Sequence, residues 1–175
     1  MKTWIVLAMH GVPPKDLPGQ DMGELMTLHM QLEHMPPGAA RDAAEGRYRR
    51  LEDRVRAWPR TEANDPYHAA SHRLAAALQA ASGCPVIAGF NEFCAPAMGE
   101  ALDRAAAEGA RRVIVVTPMM TAGGDHAEID LPEAVMAARH RHPEVEFVYA
   151  WPFEIASVAD FLARQVDRFV GPSAE

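Results

Sequence analysis

The chain has 175 residues, of which 49% are hydrophobic and 23% charged, and this composition is ordinary for one soluble globular domain with a buried core. Its net charge of −7 argues against a nucleic-acid partner, because binding to the phosphate backbone requires a basic surface. No apolar run approaches the roughly 20 residues needed to cross a bilayer. The apolar run Trp4–Met9 is too short for the hydrophobic region of a signal peptide, and no cleavage site follows it. We therefore expect a single cytoplasmic domain over residues 1–175.

The first predicted element is a strand buried on both faces, Trp4–Met9. His10 follows its end directly, and Gly11 and the pair Pro13–Pro14 then stop regular structure. A single histidine at this place is either an ordinary loop residue or part of a site at the edge of the sheet.

Residues 15–82 are predicted to form a helical insert. Its first helix, Asp21–Met35, carries four side chains at intervals of four residues: Met22, Met26, Met30 and His34. This stripe indicates either an amphipathic core helix, which we favour, or a soft wall for a flat ligand or a metal relay. The second helix, Arg41–Trp58, alternates arginines with acids, which is typical of a solvated face with i,i+4 pairs, although some arginines are candidates for binding substrate carboxylates.

The third helix of the insert is predicted to start after Asp65 as its N-cap, with Pro66 at the first position, and to run to about Ala81. It carries His68 and His72, whose i,i+4 spacing places both rings on one face. Such a pair binds a metal in some proteins. Without a third ligand nearby in sequence, we favour a polar helix face.

A second strand is predicted over Pro85–Phe90, and the loop Asn91–Pro96 follows it. This loop places Glu92 just past a strand end, although a carboxylate there is also typical of a helix start. The two cysteines, Cys84 and Cys94, lack the CxxC spacing and are predicted to be buried thiols rather than a disulfide or zinc ligands.

The next strand and its loop form the most distinctive stretch of the chain. Val113–Val116 predicts a strand buried on both faces, which ends before Pro118 because proline cannot donate to a sheet ladder. The loop Met119–Gly124 follows, and Gly123 and Gly124 allow a close approach of the backbone to a ligand.

His126 comes directly after this loop, at the carboxyl end of a buried strand, where open α/β sheets place their ligand sites. Asp130, with Glu133 three residues later, predicts the N-cap of a helix over Leu131–His142.

The remaining pattern predicts a helix over Ala97–Glu108, a strand over Glu146–Ala150, a helix over Glu154–Val170 and a loose tail at 171–175. Four strands that alternate with helices predict an α/β fold, in which a four-stranded, mostly parallel sheet has helices on both faces. The polar groups His10, Glu92 and His126 then lie at one edge of this sheet, and two imidazoles with one carboxylate suit a divalent first-row metal.

At three places the chain resembles the class II chelatases, and above all their CbiX-type branch of sirohydrochlorin cobaltochelatases, which is related to ferrochelatase. The matching segments are His10-Gly11, Asn91–Pro96 and Gly124–Pro132, each after a predicted strand. The third is similar to the family's Gly-x-His-x-x-x-Asp-Ile/Leu-Pro signature. The resemblance covers residues 1–12 and about 84–170.

The resemblance implies insertion of a divalent metal into an anionic tetrapyrrole such as sirohydrochlorin, with Co²⁺ as the metal or alternatively Ni²⁺ or Fe²⁺, and with no organic cofactor. It implies that His10 and His126 bind the metal and accept protons from the pyrrole nitrogens, and that Glu92 assists. Around these residues we expect the substrate to contact Gly11, Met119, Gly123 and Gly124. The family's fold has two lobes and the chain resembles one of them, so a homodimer is expected.

Two alternatives stay open at this stage. A metal or tetrapyrrole carrier would keep the histidines without catalysing insertion. A flavodoxin-like ligand-binding domain is disfavoured, because Pro13 and Pro14 stand where the backbone N–H groups of a phosphate loop are needed.

Overall fold

The computed structural model describes residues 1–170, and its centre is a four-stranded sheet. The strands are β1 (Thr3–Met9), β2 (Val86–Phe90), β3 (Arg112–Val116) and β4 (Glu146–Tyr149). All three pairings are parallel, in the order β2-β1-β3-β4. The predicted α/β class with a mostly parallel sheet is thus confirmed. The tail predicted at 171–175 lies outside the described residues.

Six helices accompany the sheet: α1 (Gly19–His34), α2 (Ala39–Arg56), α3 (Pro66–Ser82), α4 (Met98–Ala107), α5 (Leu131–Arg141) and α6 (Ile155–Asp167). The start of α3 is as predicted, because the Asp65 carboxylate accepts a hydrogen bond from the His68 N–H at 2.8 Å. The helix ends at Gly83, whose φ of +69° lies in the left-handed region that glycine tolerates best. Within residues 1–170, no helix is long and apolar enough to span a membrane.

Helices cover both faces of the sheet, as predicted. On one face α4 and α5 pack against side chains of all four strands, and Leu102 and Leu131 are fully buried there. On the other face α3 packs against β2, and Leu7, Phe90 and Cys94 are buried there. Both cysteines are free thiols, but Cys84 is only half-buried, so the prediction of burial is right for Cys94 alone.

The first two helices of the insert form a separate small core. It is built from leucines and one valine: Leu17, Leu25, Leu28, Leu51 and Val55. Met26 and Met30 are 41% and 62% exposed, so the methionine stripe does not form the buried face of α1. The predicted amphipathic helix is present, but its buried face is the adjacent row of leucines.

Candidate metal and proton-transfer site

Three side chains converge at the carboxyl edge of the sheet. His10 follows β1, Glu92 follows β2, and His126 lies in the segment after β3. The ligand atoms of these residues all lie within 4.8 Å of one another, and the two imidazole ring centroids are 4.7 Å apart. Within residues 1–170 they are the only group of three or more His, Cys, Asp or Glu side chains placed to share a metal ion. The convergence that the sequence predicted is therefore present.

Close packing between the first two loops sets the positions of His10 and Glu92. The Glu92 N–H donates to the His10 carbonyl at 2.9 Å, so the strand pairing extends one step into the loops. Gly11 has a φ of +100°, and a Cβ at this position would lie 1.9 Å from the Glu92 carbonyl oxygen. Only glycine permits this approach. Gly11 is buried, so its backbone supports the site by positioning Glu92.

His126 begins a π-helical turn, His126–Asp130, that leads into α5. The Leu131 N–H donates to the His126 carbonyl and closes this wider turn. Single π turns are frequent at functional sites, because they shift side chains relative to a regular helix. The turn lies between the predicted loop Met119–Gly124 and the helix predicted to start at Leu131.

Asp130 does not cap α5, and the prediction that it does is wrong. Its backbone is already helical and its side chain makes no capping bond. Its Oδ2 instead lies 2.5 Å from the His126 Nδ1, so this carboxylate orients the imidazole. The i,i+4 spacing of His126 and Asp130 was the sequence signal for this contact. Because Nδ1 is engaged, the His126 Nε2 is the nitrogen that faces Glu92.

Two distances in the cluster agree with a shared divalent ion. Glu92 Oε2 lies 3.8 Å from the His10 Nδ1, and Glu92 Oε1 lies 3.8 Å from the His126 Nε2. Two donors that each lie about 2.1 Å from one metal are at most about 4.2 Å apart, so both separations are within reach. The His10 Nδ1 is buried and has no hydrogen-bond partner among the described residues 1–170, so it is available as a metal ligand.

The loop after β3 is mostly exposed. Gly123 has a φ of +92°, and its N–H donates to the Glu128 carboxylate at 2.8 Å. A Cβ added at Gly123 or Gly124 would point into open space, whereas Met119 is half-buried and packs on the core beneath α4 and α5. The proposed substrate contacts of Gly11, Met119, Gly123 and Gly124 remain predictions.

The π turn is also held from β4. The Tyr149 hydroxyl donates to the Ala127 carbonyl at 2.8 Å. Burial, with a smaller effect from the Glu128 carboxylate, raises the pKa of Tyr149 to about 12. The hydroxyl therefore keeps its proton across the physiological range and remains a hydrogen-bond donor to the turn.

The insert borders the site on the side of Glu92. A cavity of ≈ 80 Å³ there is lined by Leu25, Met26, His29, Tyr48, Glu52, Glu92 and Phe93. Burial raises the pKa of Tyr48, and the carboxylates of Glu52 and Glu92 raise it further. Sequence analysis missed Tyr48, because a tyrosine within a highly charged helix carries no periodic pattern that points to a site.

Two arginines of the insert bind the backbone of the Glu92 loop. Arg56 donates to the carbonyls of Asn91 and Cys94, both at 2.9 Å. Arg60 donates to the carbonyls of Val12 and Phe93 and forms an ion pair at 2.5 Å with the buried Asp65 carboxylate. The predicted i,i+4 pairs occur at Arg41–Glu45, Arg49–Glu45 and Arg56–Glu52.

The second histidine pair lies apart from this cluster. His68 and His72 lie on α3, and the His68 ring stacks on Phe90. Burial lowers the pKa of His68, and the neighbouring His72 lowers it further. The imidazole of His68 is therefore neutral near pH 7.

Comparison with known proteins gives one matching family model and two curated relatives. The model, described as CbiX, matches residues 63–168. A sirohydrochlorin cobaltochelatase of Priestia megaterium is 35% identical over 66 residues, which are 38% of this chain and 21% of that protein. A sirohydrochlorin ferrochelatase of the same organism is 28% identical over 79 residues, which are 45% of this chain and 29% of that protein. The matched segments thus span less than a third of either relative.

Among solved structures, SirB from Bacillus subtilis with Fe³⁺ aligns with a TM-score of 0.49 and 17% identity. The alignment covers 98% of this chain and 49% of that one.

Proposed function

This chain belongs to the CbiX family, and on that premise we propose that it inserts a divalent metal ion into a tetrapyrrole. The observation that carries the proposal is the convergence of His10, Glu92 and His126 at one edge of the sheet. One carboxylate and two imidazoles hold a metal and leave coordination positions open, in contrast to a closed four-ligand site. A metal that must be transferred to another ligand requires such an open site.

In the proposed mechanism His10, Glu92 and His126 together release the metal and remove protons from the tetrapyrrole. Insertion of a divalent ion displaces two protons from the pyrrole N–H groups. A neutral imidazole accepts a proton near pH 7, and both His10 and His126 lie where the metal binds, so each is a metal ligand and a proton acceptor. Glu92 lies between them, assists proton transfer and keeps the site attractive to cations.

We propose sirohydrochlorin as the tetrapyrrole and cobalt as the metal, with nickel and iron as alternatives. The two curated relatives are named for sirohydrochlorin with cobalt and with iron, so they support the tetrapyrrole more than the metal. Affinity for nitrogen and oxygen donors rises from Fe²⁺ through Co²⁺ to Ni²⁺. The metal supply in the cell then decides which ion is inserted.

We further propose that residues 1–175 form one domain that acts as a homodimer in the cytoplasm. The apolar face of α6 supports the dimer, because Ile155 is 85% exposed and Leu162 is 53% exposed within a single chain. Two free cysteines agree with a reducing compartment.

The proposed reaction is tested by following sirohydrochlorin absorbance over time with Co²⁺, Ni²⁺ or Fe²⁺, with and without the protein. We expect the wild type to accelerate insertion of one metal most. We expect His10→Ala and His126→Ala each to lower the rate at least about 100-fold, the minimum typical of a lost acid–base group.

His140→Ala is the matched control, since His140 is an exposed histidine on α5 outside the cluster. It should retain the wild-type rate. Metal binding by the wild type with no acceleration for any of the three ions would instead identify a carrier, and the proposed enzyme activity on this tetrapyrrole would be wrong.

A further inference from the structure

The two histidines of α3, His68 and His72, lie close together and are not part of the site described above. The Nε2 atoms of His68 and His72 lie 3.1 Å apart, and the ring centroids lie 4.4 Å apart. Both residues lie in the first half of a 17-residue helix, so the spacing is fixed by the backbone. Neither belongs to the cluster of His10, Glu92 and His126.

The separation of the two nitrogens agrees with a shared metal ion. Nitrogens that lie about 2.0–2.1 Å from one metal, with an angle of about 95–100° between the bonds, are about 3.1 Å apart. Angles near 90° are typical of Ni²⁺ and Cu²⁺ bound by nitrogen and oxygen donors, whereas a tetrahedral site has wider angles. The same distance also permits a hydrogen bond between the rings, in which one Nε2–H donates to the other Nε2. A metal bound to both Nε2 atoms would displace that proton, which moves to the Nδ1 atom of the same ring.

The surroundings orient the rings before any metal arrives. The His68 ring stacks on Phe90 at 5.3 Å with an angle of 19° between the planes, and Phe90 is fully buried. The Nε2 of His68 is thereby held 3.1 Å from the Nε2 of His72. His72 is exposed, so an ion reaches the pair from solvent.

We propose that His68 and His72 form a second metal-binding site, a two-imidazole chelate for a late first-row divalent ion such as Ni²⁺ or Cu²⁺. The described residues offer no third His, Cys, Asp or Glu ligand at this place, so water completes the coordination and the ion exchanges readily. The site is independent of the proposed chelatase reaction, since it shares no side chain with the cluster of His10, Glu92 and His126.

The test uses Ni²⁺ alone, titrated into the full chain by calorimetry after removal of any histidine tag and of bound metal. The double variant His10→Ala/His126→Ala removes both imidazoles of the first cluster, so the remaining binding reports the second site. In this background we expect one equivalent of Ni²⁺ to bind. Adding His72→Gln should weaken that binding at least about tenfold, because the second donor of the chelate is lost.

His140→Gln in the same background is the matched control, and it should leave Ni²⁺ affinity unchanged. His72 is exposed, so its replacement preserves the packing of His68 on Phe90 and the fold. Equal Ni²⁺ affinity with and without His72→Gln, or no Ni²⁺ binding in the background, would overturn the proposal.

A second measurement uses the wild type, so it does not depend on whether the His10→Ala/His126→Ala variant folds. Traces of Cu²⁺ broaden the proton signals of imidazoles that bind it, and these signals are resolved by NMR. We expect the rings of His68 and His72 to broaden at low Cu²⁺ concentration. Broadening confined to His10 and His126 would contradict a second site, whatever the chelatase assay shows.

Discussion

At the scale of single residues, the contact between Asp130 and His126 has the clearest consequence for the proposed reaction. The Asp130 carboxylate lies 2.5 Å from the His126 Nδ1 and is about half-exposed. We expect Asp130→Asn to lower both Co²⁺ affinity and the insertion rate by about 10–100-fold, because an amide no longer supports the imidazole as an anionic acceptor. Co²⁺ titration and the sirohydrochlorin assay measure the two effects.

Asp125→Asn is the matched control for this change. Asp125 directly precedes His126, carries the same charge and is exposed. The two variants lose the same formal charge, so a general electrostatic effect would weaken both equally. Equal losses in the two variants would show that Asp130 acts only through its charge and does not orient His126.

The residues of the site were largely predictable, but their partners were not. His10, Glu92 and His126 each follow a buried strand, and parallel strands place their carboxyl ends at one edge, so convergence followed from topology alone. The role of Asp130 depends on a π turn, and a local shift of hydrogen-bonding register leaves no compositional trace. From the sequence alone, an acidic residue directly before an apolar helix is therefore interpreted as an N-cap.

At the scale of elements, the insert matters because it holds the loop that carries Glu92. We expect Arg56→Met to lower the free energy of unfolding by about 2 kcal/mol, since two hydrogen bonds from a charged donor to the carbonyls of Asn91 and Cys94 are lost. We also expect slower metal insertion, because these bonds flank Glu92. Urea denaturation and the sirohydrochlorin assay measure the two effects.

Arg49→Met is the control on the same helix. Arg49 is 75% exposed and forms an i,i+4 pair with Glu45 at 3.4 Å, so its loss should cost less than about 0.5 kcal/mol. Similar losses of stability and rate in both variants would mean that the insert does not position the Glu92 loop.

The helices of the insert were predictable, while the faces that they bury were not. The bounds of α1, α2 and α3 differ from the predictions by a few residues at most, because prolines, glycines and the Asp65 cap mark the ends. On α1 the methionines and the leucines form adjacent stripes, and periodicity alone favours neither. The leucines are buried because they pack against Leu51 and Val55 of α2, which is a contact between elements.

At the scale of the whole molecule, α6 leaves an apolar face in solvent. Ile155, Val158, Leu162 and Val166 repeat at helical spacing, and no residue of α6 is buried. A groove beside this face is lined mainly by apolar side chains, among them Met120, Trp151 and Phe153. Exposed apolar surface of this kind marks an interaction site, and we expect a second copy of the chain to cover it.

We therefore expect Leu162→Asp to shift the protein from dimer to monomer in sedimentation velocity, because a carboxylate cannot be desolvated at the centre of an apolar contact. Ser157→Asp is the matched control, since Ser157 lies on the opposite side of the same helix and the change adds the same charge. It should leave the mass of the assembly unchanged. A monomeric wild type, or a dimer that survives Leu162→Asp, would mean that the apolar face of α6 has another role.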